Sequence, residues 1–248
     1  MIHKGLVLLA DTKIIAATLE VFQECKVRSF PVDCCSLLRH YGYKVYTYKE
    51  LKMKNNELYE MCMGYSDDAF QDGCTGIIAY NQDKPAGRSR FSLMHELGHH
   101  VFAHVGNSSR NEREANAFAS NLLAPRIAIH YAHCHSASDV AHIFELSYEA
   151  ASNAFADYQK WHARVARYSM TTLDQQMYQH FYHSSARRFV WNIRRCPSCG
   201  RILYNRQECG CQLTALPEYI PAFGTEDAWD RDSDRQFKGA LNRWLYGE

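Results

Sequence analysis

The sequence predicts an α+β fold in which a small sheet precedes a long helical stretch and a small cysteine-rich module follows it. Three observations carry this. Two short runs rich in β-branched and aromatic residues, "YKVYTY" at 43–48 and "TGIIAYN" at 75–81, lie in the first third of the chain. From Arg90 the apolar period becomes helical. After Arg187 four cysteines at metal-ligand spacing break the helical pattern. With 248 residues, 46% of them hydrophobic, the chain can bury a core of its own.

Taken in order, the apolar patch before Asp11 is too short for a signal-peptide core or a membrane span. Phe30-Pro31-Val32-Asp33 reads as the start of a short capped helix that Gly42 stops, with the first strand directly behind. "YEMCMGY" at 59–65 reads as a third, weaker strand, and "NQDKPAG" as the turn that closes the strand at 75–81. Met94, Leu97, Val101 and Val105 then form one apolar stripe of a helix. A second helix follows over 108–125, with Ala115, Phe118, Ala119 and Leu122 inward and Pro125 ending it. Residues 127–185 read as helical. These breaks divide the chain into 1–126, carrying the histidine segment, a helical region at 127–186, a four-cysteine module at 187–214 and a Pro-punctuated acidic tail at 215–248.

The formal net charge is +1, so the chain as a whole carries no electrostatic signature of a nucleic-acid binder, and any such preference is local. Ten cysteines without an export signal, two of them adjacent at Cys34 and Cys35, predict reduced thiols in a cytoplasmic protein rather than a disulfide framework.

The stretch "FSLMHELGHHVFAH" at 91–104 concentrates the chemistry. His95 and His99 are four apart, so on a helix their Cβ atoms lie roughly 5–6 Å from each other and two imidazoles can share one zinc. Glu96 points about 100° round from His95, beside the metal, where a carboxylate can take a proton from water. His100 and His104 have the same spacing, but Val101 rather than a glutamate follows His100, so that pair offers ligands without a base. Gly98 costs a helix interior about 1 kcal/mol and therefore points to a close approach by another element.

A hydrolytic zinc site needs a third protein ligand. On the second helix Glu112 lies about 60° from the centre of the buried face and Glu114 about 100° away on the other flank, which favours Glu112. The competing reading is local: Ser109-x-x-Glu112 is also a capping-box pattern. Asn116, four residues beyond Glu112, is placed to hydrogen-bond a ligand and hold its orientation.

"RSRFSLMHELGHH" followed by "EREANAFASNLLAP" resembles the ImmA/IrrE family of metallopeptidases, which pair HELGH with a downstream Glu-x-x-Ala-Asn/Asp-x-Phe-Ala segment. "FPVDCCSLLRHYGYKV", "GIIAYN" and "DVAHIFELSYEAASNAF" resemble the flanking parts of the same domain, so the likeness covers roughly residues 30–160. It implies an α+β fold of the zincin type over residues 1–126, with His95, His99 and Glu112 as zinc ligands and Glu96 as general base. For family members on mobile elements it implies a helix-turn-helix repressor as the protein substrate.

Cys196-Pro-Ser-Cys199-Gly is a zinc-knuckle pattern, and Cys209-Gly-Cys211 can complete a closed four-thiolate site, a second and structural zinc in a small ribbon-like module. The second half departs from the usual ribbon by having one residue, not two, between its cysteines. Residues 187–206 contain Arg187, Arg188, Arg194, Arg195, Arg201 and Arg206 and no acidic residue. They read as a docking surface for an acidic partner or for Glu226, Asp227, Asp230, Asp232 and Asp234 of the tail, ahead of nucleic acid. His130, His133 and His135 read as loop or surface histidines. The rival to a peptidase is a non-proteolytic regulator that binds DNA or a partner through its helical and ribbon regions, yet 139–155 contains no basic residue except His142 with which to read a groove.

Overall fold

A computed structural model describes residues 2–211 apart from Cys74 and Asn107, with side chains from Asp11 onward. The tail at 215–248, its acidic residues and the last residues of the 187–214 module lie outside the described residues.

The chain opens with a long helix, α1 (Ile2–Glu24), which buries Ile14, Leu19, Val21 and Phe22. Next comes α2 (Cys34–His40), begun by Asp33, whose carboxylate accepts from Ser36 N–H at 3.0 Å, and ended before Gly42, whose φ of +85° a side chain would resist. β1 (Lys44–Thr47) leads into α3 (Tyr48–Lys54), capped by the reciprocal Thr47–Glu50 box. α4 (Asn56–Tyr65), β2 (Ala69–Asp72) and β3 (Ile77–Tyr80) complete the first part. The sheet has the order β1-β3-β2, with β1 parallel and β2 antiparallel to the central β3.

One expectation fails here. "YEMCMGY" belongs to α4, not to a strand: the Asn55 side chain accepts from Leu58 N–H at 3.0 Å, and Leu58 and Cys62, one helical turn apart, are the residues it buries. The third strand is instead "AFQD", whose pairing with Ile77–Tyr80 supplies what its short polar sequence does not advertise.

Then follow α5 (Ala86–Val101) and α6 (Ser109–Leu123), packed against each other, and α7 (Arg126–Tyr131), α8 (Ala137–Phe144), α9 (Tyr148–Arg167) and α10 (Thr172–Phe181). Pro85 starts α5 one turn earlier than the apolar period shows. Val105 lies beyond the helix end and is 93% exposed, so the stripe closes at Val101. Two two-stranded pieces remain as hairpins: β4 (Tyr182–His183) with β5 (Arg188–Phe189), and β6 (Ile193–Arg195) with β7 (Ile202–Tyr204). One buried cluster runs from Ile14 through Met94, Leu97, Phe118 and Leu122 to Trp161, Phe181 and Trp191. Each of its fully buried Leu or Phe side chains contributes about 1.5–3 kcal/mol. Among the described residues no helix is long and apolar enough to cross a membrane.

Candidate metal centre

The site is built where α5 crosses α6. Ala115, Phe118, Ala119 and Leu122 are fully buried, as their spacing requires, and Gly98 is the point of closest approach. A Cβ placed on Gly98 would lie 3.1 Å from Ala115 Cα and 3.2 Å from the Phe118 ring. Glycine therefore sets the distance between the two helices and, with it, the distance between their polar flanks.

On that flank His95 Nε2 and His99 Nε2 face each other at 3.0 Å, and the Glu112 carboxylate lies 3.3 Å from the first and 3.5 Å from the second. The capping alternative for Glu112 falls away. Ser108 is the N-cap, accepting from Asn111 N–H at 3.2 Å, which leaves the Glu112 side chain to reach the imidazoles. Asn116 Oδ1 lies 2.9 Å from His95 Nδ1 and accepts its proton, which leaves the His95 Nε2 lone pair directed at His99 and Glu112. Lone pairs of two imidazoles and a carboxylate then converge on one point, an arrangement that calls for a cation. Donors about 2.0–2.1 Å from a tetrahedral zinc stand roughly 3.3 Å apart. The observed separations match that spacing.

Glu96 is half-buried beside this cluster. Burial, with the Glu112 carboxylate adding to it, pushes its carboxyl from an ordinary 4.5 up to about 7. Burial and the neighbouring imidazole of His95 hold His99 below the ordinary histidine value. Both shifts disfavour the charged form of the group concerned.

Glu114 takes no part in the convergence. It sits on the far flank, 2.7 Å from Lys13 Nζ, 2.9 Å from Arg110 Nε and 3.4 Å from His104 Nε2, and the hydrogen bonds from Lys13 and Arg110 hold it down at about 2. The paired reading of His100 with His104 also fails. His100 is exposed and its Nδ1 lies 2.7 Å from the Tyr43 hydroxyl, while His104 turns back toward His99. The spacing rule assumed a continuous helix, and α5 ends between them.

A second donor set lies around the β6–β7 hairpin, where Cys196 and Cys199 flank its turn and Cys209 and Cys211 follow β7. Sγ of Cys196 is 3.4 Å from that of Cys211, Cys199 is 3.3 Å from Cys209, and Cys209 is 3.1 Å from Cys211. These separations exclude disulfides, and all nine described cysteines are unpaired. Backbone N–H groups of Cys199 and Ser198 lower the Cys196 thiol to about 6, whereas hydrogen bonds that Cys211 gives to Cys209 and Cys196 raise it to about 12. Four thiols this close cannot all ionise without a cation among them. The six arginines are exposed, and Arg194 and Arg206 donate to the carbonyls of Asn205, Gln207 and Ala132. His133 and His135 are exposed, but His130 is packed among Tyr131, Tyr158, Trp161 and His162 rather than in a surface loop.

Two contributors escaped sequence reasoning. Lys13 comes from the first helix, more than eighty residues before the histidines, and His104 meets His99 rather than His100.

Residues 53–155 match the family model for the IrrE N-terminal-like domain of peptidase M78, a span that begins in α3 and ends within α9 and contains every residue of the histidine and glutamate cluster. No curated protein matches the chain. The match over these residues is consistent with an ImmA/IrrE family protein and supports a metallopeptidase.

Proposed function

We propose that this protein is a zinc-dependent endopeptidase acting on a regulatory protein in the cytoplasm, with His95, His99 and Glu112 as zinc ligands and Glu96 as general acid and base. The single observation that carries the reading is the convergence of three donor atoms from two helices at tetrahedral spacing, with an acid of raised pKa beside them. Three protein donors, where a structural site uses four, would leave a bound ion room for water and substrate. His95, His99 and Glu112 would hold the zinc, which would supply Lewis acidity and lower the pKa of a water, with Glu96 beside it to move the proton. Glu96 takes the proton from water and returns it to the departing amine. Asn116 keeps His95 in the tautomer that points its Nε2 inward.

The four cysteines hold a second, structural zinc in this reading, and the ribbon they close is a docking module for the protein substrate. Its arginines suit an acidic partner surface. The resemblance to mobile-element family members supports a helix-turn-helix repressor as that substrate. Unpaired thiols throughout the described residues agree with a reducing compartment. Glu96→Gln separates chemistry from binding: zinc content stays at the wild-type level while cleavage of a repressor encoded beside this chain drops by about 10²–10⁴-fold. Wild-type cleavage by that variant removes Glu96 from the mechanism.

A further inference from the structure

The end of α5 does more than terminate a helix. Ala103 adopts a left-handed conformation with φ of +49°, its N–H bonding the His100 carbonyl at 2.9 Å, and the next N–H, of His104, bonding the His99 carbonyl at 3.0 Å. This pair of bonds is a Schellman motif, and it folds the chain back over the last turn. The position normally belongs to glycine, because Cβ opposes a left-handed backbone. The fold accepts that cost, and the consequence is that the His104 ring is carried onto His99.

The contact is specific. His104 Nδ1 lies 3.1 Å from His99 Nδ1, and His104 Nε2 lies 3.4 Å from a Glu114 oxygen. The His104 side chain is only 6% exposed and packs against Phe102, over which Lys13 Nζ sits at 4.4 Å from the ring centroid. Glu114 is in turn gripped by Lys13 and Arg110. If His99 presents its Nε2 lone pair to a metal, its Nδ1 must carry a proton and needs an acceptor. His104 Nδ1 is the atom within reach. Accepting there obliges His104 to carry its own proton on Nε2, which faces the Glu114 carboxylate. The protons run in one direction along this chain of hydrogen bonds, toward the charge that Lys13 and Arg110 hold in place.

We propose that His104, anchored by Glu114, is a positioning residue that fixes the tautomer and ring orientation of His99, as Asn116 does for His95. The proposal rests on the metal-site reading above. It makes the two imidazoles unequal: one is oriented by a side chain of α6 directly, the other through a relay that starts on α1.

Zinc binding by the full chain tests it, measured by competition with a chelator of known affinity and read as the ion that is present in wild type and missing in Glu112→Ala. His104→Leu fills the space without offering an acceptor, and weakens that ion's binding by about 10–100-fold. His104→Asn places Oδ1 about where Nδ1 sits and holds affinity within about threefold of wild type, because the acceptor and not the ring is what His99 requires. Glu114→Ala, which leaves His104 in the chain but unanchored, weakens binding by roughly tenfold while the ion count stays unchanged. A His104→Leu protein that binds as tightly as wild type overturns the proposal. So does a His104→Asn protein as weak as His104→Leu, since that pattern reports packing; should both variants fail to fold, Glu114→Ala decides, and unchanged affinity there overturns the relay. If wild type holds no ion that Glu112→Ala lacks, the metal-site reading itself fails and the relay falls with it.

Discussion

His95, His99 and Glu112 stand on two helices whose facing surfaces are fully buried, whereas Cys196, Cys199, Cys209 and Cys211 stand in turns around a hairpin of two three-residue strands. In the first set the donors are brought together by a core that exists for other reasons: Gly98 against Ala115, with Phe118 and Leu122 behind. In the second, the hairpin's own bonds and a few hydrogen bonds to the rest of the chain, at Trp191, Asn192, Ile193 and Arg206, hold the cysteines near each other. A site on packed helices is shaped before the metal arrives; a site on turns needs the metal to be shaped. That difference also suits their proposed roles, since an open site must keep its geometry while substrate comes and goes, and a closed one has only to persist.

The largest effect expected from this contrast is on the hairpin. If the proposed structural zinc supplies the module's folding energy, on the order of 10 kcal/mol, a strong chelator exposes the amides of Ile193–Tyr204 to hydrogen exchange while α5 and α6 keep their protection. Equal loss of protection in both regions would sink the distinction.

Next comes pH. The folded value of Glu96, about 7, lies above its ordinary 4.5, so its protonated form favours the fold. Its contribution is complete below about pH 4.5 and is lost as pH rises through 7, a change on the order of 3 kcal/mol in zinc-free protein. The difference in denaturation midpoint between wild type and Glu96→Gln, followed from pH 5 to 8, isolates this slope from the thiols. A difference that stays constant with pH contradicts it.

Gly98→Val sharpens the argument about prebuilt spacing. New methyl groups meet Ala115 and Phe118, prising α5 from α6 at a cost of about 2 kcal/mol in a denaturant titration, and weakening zinc binding at the histidine site but not at the thiolates. The smallest effect is Ala103→Gly. Glycine relieves the left-handed backbone and raises stability by up to about 1 kcal/mol without displacing His104.

Much of the first site was legible. The i,i+4 histidines and the apolar period that places them on one helix are local facts, and so is the buried face of α6, which puts Glu112 on the flank that meets the histidines and Glu114 on the other. The capping alternative could not be dismissed from sequence, because Ser108 and Ser109 both qualify as caps and only the helix start shows which one is used. The misread strand at 59–65 has the same root: Tyr, Met and Cys suit either state, and burial at Leu58 and Cys62 decided for a helix. The length of α1 and its arrival at Glu114 through Lys13 left no trace in local pattern.

By itself the sequence determined which donor atoms exist, which pair of histidines shares a helical face, and which cysteines can meet, since these depend on spacing within a few residues. Tertiary structure decided which carboxylate completes the first set, which nitrogen of each imidazole points inward and where His104 goes. Those outcomes turn on hydrogen-bond partners from other segments, Asn116 on α6 and Lys13 on α1 among them, and on a helix ending three residues before His104. A period of 3.6 residues carries no information once the helix that generates it has stopped.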